Sequence, residues 1–105
     1  MNDIADAWDE RTRAVYVNSP GNPTGWVMEE DQQRELLAFA RERGIYVVSD
    51  EVYVRLIYDR PRAPSFLDIA GPDDRVLVIN SFSKSWSMTG WRLGWLTIWV
   101  RCTPN

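Results

Sequence analysis

The chain has 105 residues, of which 45% are hydrophobic and 26% charged, and its formal net charge is -3. That length suits one domain, and the balance is that of an ordinary globular protein. Its arginines are scattered and leave no nucleic-acid footprint, no apolar run approaches the roughly 18 residues of a membrane span, and the absence of histidine excludes a histidine-based triad or zinc site. The expected partners are therefore small molecules, with no nucleic acid and no membrane. The one cysteine, Cys102, cannot form an internal disulfide, which points to a reducing, cytoplasmic setting. The opening residues MNDIADAWDE are acidic and lack the apolar segment of a signal peptide.

Residues 1–13 read as a lead-in. Ala14 to Asn18, "AVYVN", is β-branched and aromatic and reads as a strand, stopped by Pro20 and Gly21. "GNPTG" is dense in turn residues. From Glu29 to Arg43, Leu36, Leu37 and Ala40 recur at helical spacing. Acidic Glu29, Glu30 and Asp31 open that helix, and Arg41 and Arg43 close it as a solvated end, the order its dipole favours. Gly44 takes the position just past the helix. "IYVVSDE" reads as a second strand, and its near-continuous apolar run suits a strand covered on both faces. A connection bearing Pro61 and Pro64 leads to a short helix around Ser65 to Ile69, and "GPDD" is a turn. "RVLVINS" is the third strand and "WRLGWLTIWV" the fourth. Strands alternating with helical crossovers imply an α/β fold with a mostly parallel sheet. The return through "SMTGWRLGW" is too short for a crossover, so the last strand should be antiparallel.

Open α/β sheets bind ligands beyond the carboxyl ends of their strands. The first strand ends on Asn18, with Asn22 beyond it. The second ends on Asp50, with Tyr53 three residues on, and the third on Ser81, Ser83 and Lys84. Steps of about thirty residues match βαβ units, so the three sets should converge on one edge. Lys84 is the only lysine; every other cation is arginine. Arginine stays protonated, whereas a lysine amine can become a nucleophile and form an imine with an aldehyde. An amine, an aspartate, a tyrosine, an asparagine, serines and an arginine together suit pyridoxal phosphate. The aspartate would keep its ring nitrogen protonated, tyrosine and asparagine would serve its ring oxygen, and serines with an arginine fork would serve its phosphate. Plainer roles exist for each residue. Asp50 could be a helix cap, Tyr53 could fill the core, Asn22 could serve only its turn, and Ser81 could cap the segment that follows it. Glu51 reads as a structural contact, and Trp86, Trp91, Trp95 and Trp99 read as packing.

"NSPGNPTG", "VVSDEVY" and "SFSKSWSMTGWRLGW", in this order and spacing, resemble the class I/II aminotransferases of the pyridoxal-phosphate fold-type I superfamily, aspartate aminotransferase-like, over Val15 to Leu96. The resemblance implies that residues 14–98 are the central part of the family's large domain, with strands in spatial order one to four. It implies that Lys84 forms the Schiff base and shuttles a proton, that Asp50 pairs with the pyridine nitrogen, and that Tyr53 and Asn22 donate to the ring oxygen. Ser81, Ser83 and Arg92 fall where the family binds phosphate. The implied substrates are an amino acid and a 2-oxo acid in a ping-pong exchange, and the implied assembly is a homodimer. "TIWVRCTPN" departs from the family, which makes 99–105 an atypical tail. The family's glycine-rich phosphate loop, ring-stacking aromatic and substrate-gripping arginine are not among these residues. Three readings stay open: a transaminase, an inactive fragment, and another reaction on the scaffold such as a β-lyase or decarboxylase. A generic nucleotide-binding domain fits poorly, because no G-x-G-x-x-G or P-loop follows a strand.

Overall fold

Four strands pair in chain order in the computed structural model, which describes residues 2–99: β1 (Ala14–Asn18), β2 (Tyr46–Asp50), β3 (Val76–Ser81) and β4 (Gly94–Ile98). β1 and β2 are parallel, β2 and β3 are parallel, and β4 is antiparallel to β3. The fold is therefore the α/β sheet expected, with its reversed last strand. Cys102 and the tail beyond Trp99 lie outside the described residues. The fourth strand is shorter than the "WRLGWLTIWV" run. It begins at Gly94, where a Cβ would stand 2.7 Å from the Asn80 carbonyl oxygen, so β3 and β4 approach closely there. No helix among the described residues is long and apolar enough to cross a membrane.

The lead-in carries a short helix, α1 (Asn2–Ala7), and the β1–β2 crossover carries α2 (Glu30–Arg43). α2 starts where its acidic residues predict, and the Glu29 amide donates to Gln32 Oε1 at 3.0 Å. The Glu29 carboxylate takes a bidentate pair from Arg60, at 2.6 and 2.9 Å, and ties the start of α2 to the loop after β2. The helix ends on Gly44, which adopts φ +63° and caps the last turn through its amide. Leu36, Leu37 and Ala40 face the sheet, as their spacing predicts, and Phe39 joins them. They pack with Val17, Val47, Val76 and Val78, and Ile4 and Trp8 border this core. A single 3-10 turn at Phe66–Asp68 replaces the short helix expected there, and its Phe66 is fully buried in the same core.

The strands are apolar enough to be covered on both faces, but the helices of this chain cover only one. Val47, Ser49, Val76 and Val78 face the core, whereas Tyr46, Leu96 and Ile98 on the opposite face are exposed. The helix end at Arg41 and Arg43 is only partly the solvated end expected, because Arg41 is exposed and Arg43 half-buried, and both are engaged. Arg41 forms a bidentate pair with Asp74 at 2.6 and 2.8 Å, and the Arg43 guanidinium stacks 3.8 Å from the Phe39 ring centroid and 5.0 Å from that of Trp8. The four tryptophans are not all packing residues. All four are exposed; Trp86 and Trp95 nevertheless cluster with Phe82.

Candidate active site

Two short asparagine contacts set the carboxyl edge of the sheet. Asn18, at the end of β1, donates from Nδ2 to the Asp50 carbonyl at 3.3 Å and accepts the Asn22 amide on Oδ1 at 3.0 Å. It thereby ties the loop after β1 to the end of β2. That loop is closed by Gly21 and Trp26, with Gly21 N donating to Trp26 O at 2.8 Å. Ser19 is buried and accepts the Met28 amide at 2.8 Å, which anchors the way back into α2. Held in this manner, Asn22 donates from Nδ2 to the Tyr53 hydroxyl at 3.0 Å. Lys84 Nζ stands 5.9 Å from the centroid of the Tyr53 ring. Contacts therefore run unbroken from Asp50 through Asn18, Asn22 and Tyr53 to Lys84, and join residues from the ends of all three parallel strands.

The end of β3 is built around one hydroxyl. Ser81 Oγ accepts the Ser83 amide at 3.0 Å and donates to the Leu93 carbonyl at 3.1 Å. It caps the four-residue helix α3 (Phe82–Ser85), which carries Lys84 one turn beyond the sheet and leaves it exposed. The Phe82 amide donates to the same Leu93 carbonyl at 3.2 Å. The segment containing Arg92 is thus stitched to Ser81. Arg92 itself sits at φ +53°, a conformation uncommon outside glycine, and its guanidinium donates to the Thr89 carbonyl at 3.1 Å. Ser83 enters the cluster through its backbone amide. The structure therefore gathers Asn22, Tyr53 and Lys84 by side chain, Asp50 through its backbone carbonyl, and Ser81, Ser83 and the Arg92 segment by backbone and cap.

Asp50 is not a helix cap, because a turn and no helix follows β2; its Oδ1 accepts the Val52 amide of that turn at 3.3 Å. Its other oxygen, Oδ2, accepts the hydroxyl of Tyr16 at 2.6 Å. Tyr16 was not singled out from the sequence. It lies two residues before Asn18 on the same face, and only the β1–β2 register reveals that it reaches Asp50. Glu51 points to the opposite, buried side. Its Oε1 accepts from Ser49 Oγ and from the Phe66 amide, both at 3.0 Å, which makes it the structural contact expected. Burial pushes its carboxyl above the usual glutamate range, against hydrogen bonds from Ser65, Phe66 and Ser49 that pull the other way.

The model of the class I and II aminotransferases matches residues 1–101. The chain belongs to this family. Within it, the chain is 41% identical over 100 residues to the probable aspartate/prephenate aminotransferase of Aquifex aeolicus, covering 91% of this chain and 25% of that protein. It is 48% identical over 86 residues to the aspartate aminotransferase of Thermotoga maritima, covering 82% of this chain and 22% of that one. The crystal structure of an aspartate aminotransferase from Thermotoga maritima superposes with a TM-score of 0.84 at 43% identity, over 91% of this chain and 25% of that chain. The chain thus spans about a quarter of the length of these aminotransferases.

Proposed function

We propose that these residues are the cofactor-binding centre of a pyridoxal-phosphate-dependent transaminase, with Lys84 as its nucleophile. The supporting observation is the Asn22–Tyr53–Lys84 cluster at the carboxyl ends of parallel strands. The donor set fits the cofactor group by group. Lys84 offers an amine to an aldehyde, and Asp50 offers a carboxylate to a protonated ring nitrogen. The Tyr53 hydroxyl accepts from Asn22, which leaves its own proton free to donate to a ring oxygen. Ser81, Ser83 and Arg92 would offer hydroxyls and a guanidinium to its phosphate. Bound there, pyridoxal phosphate supplies the aldehyde and a ring that takes up the electron pair left on a substrate α-carbon. Lys84 would be the group able to hold and carry a proton at Nζ. The amino acid would leave as a 2-oxo acid, and a second 2-oxo acid would collect the amino group.

A second reading, that the 105-residue polypeptide has no turnover by itself, is favoured by the exposure of Lys84. Small-molecule sites normally enclose most of their ligand. Borohydride trapping with excess pyridoxal phosphate tests the site whether or not turnover occurs. The peptide containing Lys84 should gain the pyridoxyl mass, and Lys84→Arg should abolish the gain. Equal labelling of Lys84→Arg would overturn the proposal.

A further inference from the structure

β1 and β2 pair with Tyr16 opposite Val48 and Asn18 opposite Asp50. Residues two apart in a strand share a face, so Tyr16 and Asp50 are diagonal neighbours on the open side of the sheet. Such neighbours are about 7–8 Å apart at the backbone, a gap that a long side chain can bridge. The Tyr16 hydroxyl does so, at 2.6 Å from Asp50 Oδ2. That distance is in the short range of a hydroxyl donating to a carboxylate. With Val52 N on Oδ1, the carboxylate is held at both oxygens. The Tyr16 residue is 61% exposed, so ring burial does not account for a tyrosine at this place. Its phenol is pushed up to about 12, first by the hydrogen bond to Asp50, then by burial, then by the charge of Asp50.

We propose that Tyr16 is a positioning residue of the site, donating its hydroxyl to Asp50 Oδ2 and so fixing the direction in which that carboxylate meets a protonated ring nitrogen. The role assigned here rests on the reading of Asp50 as the partner of the pyridoxal phosphate ring. A carboxylate oxygen has more than one lone pair, so Oδ2 can hold the phenol and receive a ring N–H together. The phenol then supports the ring contact without competing with it. Tyr16 touches neither substrate nor reacting atoms and acts only through Asp50.

Two measurements test this. In the chain without cofactor, tyrosines labelled with carbon-13 at Cζ are titrated by NMR, with circular dichroism monitoring the fold at each pH. One resonance, assigned by its loss in Tyr16→Phe, should ionise near 12. In Asp50→Asn it should return to the ordinary tyrosine value of about 10. A Tyr16 that ionises at about 10 in the unaltered chain overturns the proposal. The second measurement compares binding of pyridoxal phosphate with binding of its carbocyclic analogue, which lacks the ring nitrogen. Tyr16→Phe should weaken the cofactor about ten-fold, the scale of one hydrogen bond to a charged group, and leave the analogue unchanged. Equal weakening of both would show a general structural role and overturn it. If the unaltered chain binds no cofactor, or Lys84→Ala binds it unchanged, the cofactor reading fails separately, and the titration still decides the Tyr16–Asp50 pairing.

Discussion

On the covered face of the sheet, Val47, Val76 and Val78 are no more than 4% exposed, whereas on the same sheet Tyr46, Leu96 and Ile98 are 44%, 57% and 50% exposed on the other side. The two faces are similarly apolar in composition and differ in what lies against them. α2 and the Phe66 turn close one side. The candidate site opens from the other, where Tyr16 and Asp50 meet. Burial thus separates a face that stabilises from the face on which the candidate site opens, although the chain builds both from the same strands.

The comparison breaks first at Phe66. Its side chain is fully buried in the core, so Phe66→Ala should cost about 3–5 kcal/mol in urea unfolding. A loss below about 1 kcal/mol would mean that the covered face does not carry the stability. The open face has one intolerant point. Gly94→Ala would place a Cβ 2.7 Å from backbone oxygen and should cost about 1–3 kcal/mol by the same measurement. No loss there would show that β4 shifts freely along the edge.

Acid and base should act on different groups. Glu51, on the covered side, has its carboxyl raised by burial. Its contribution to stability is full below the unfolded value of 4.5 and is lost as pH rises through its raised folded value. Asp74 is lowered chiefly by its hydrogen bond from Arg41. Its contribution is present above 3.8 and is lost as pH falls through the lowered folded value. Urea midpoints followed across this range should decline less on the alkaline side in Glu51→Gln, and less on the acid side in Asp74→Asn. Identical profiles for both variants and the parent would remove the distinction. Smallest of all is the effect of Leu96→Ser. On an exposed face it should change stability by no more than about 0.5 kcal/mol, while lowering self-association seen in sedimentation. A loss as large as that of Phe66→Ala would show that the open face is packed in solution.

Much of this was legible because the informative signals are local. β1 ends on Asn18 because Pro20 and Gly21 follow, α2 is bracketed by Glu29 and Gly44, and the short return from Ser81 dictates an antiparallel β4. The convergence of Asn22, Tyr53 and Lys84 was legible through strand spacing. What escaped depends on partners distant in sequence. Arg41 read as solvated, with nothing local to show that Asp74, 33 residues on, pairs with it. Tyr16 looked like an ordinary strand aromatic, because its meaning lies in the register with β2. The open face follows from the same sequence, because the apolar strands could bury two faces and the chain carries helices enough for one.

The order of the sheet matches the order of the chain, and this has a consequence for how the protein is made. Each strand pairs with the one synthesised just before it, so a chain leaving the ribosome can extend its sheet at one growing edge without waiting for later sequence. β1 and β2 require α2 to be threaded between them, a slow non-local closure, while β4 folds back on β3 as a nearby return. The contact of Tyr16 with Asp50 would therefore form within the first strand pair, and the segment carrying Lys84 would join the sheet after it.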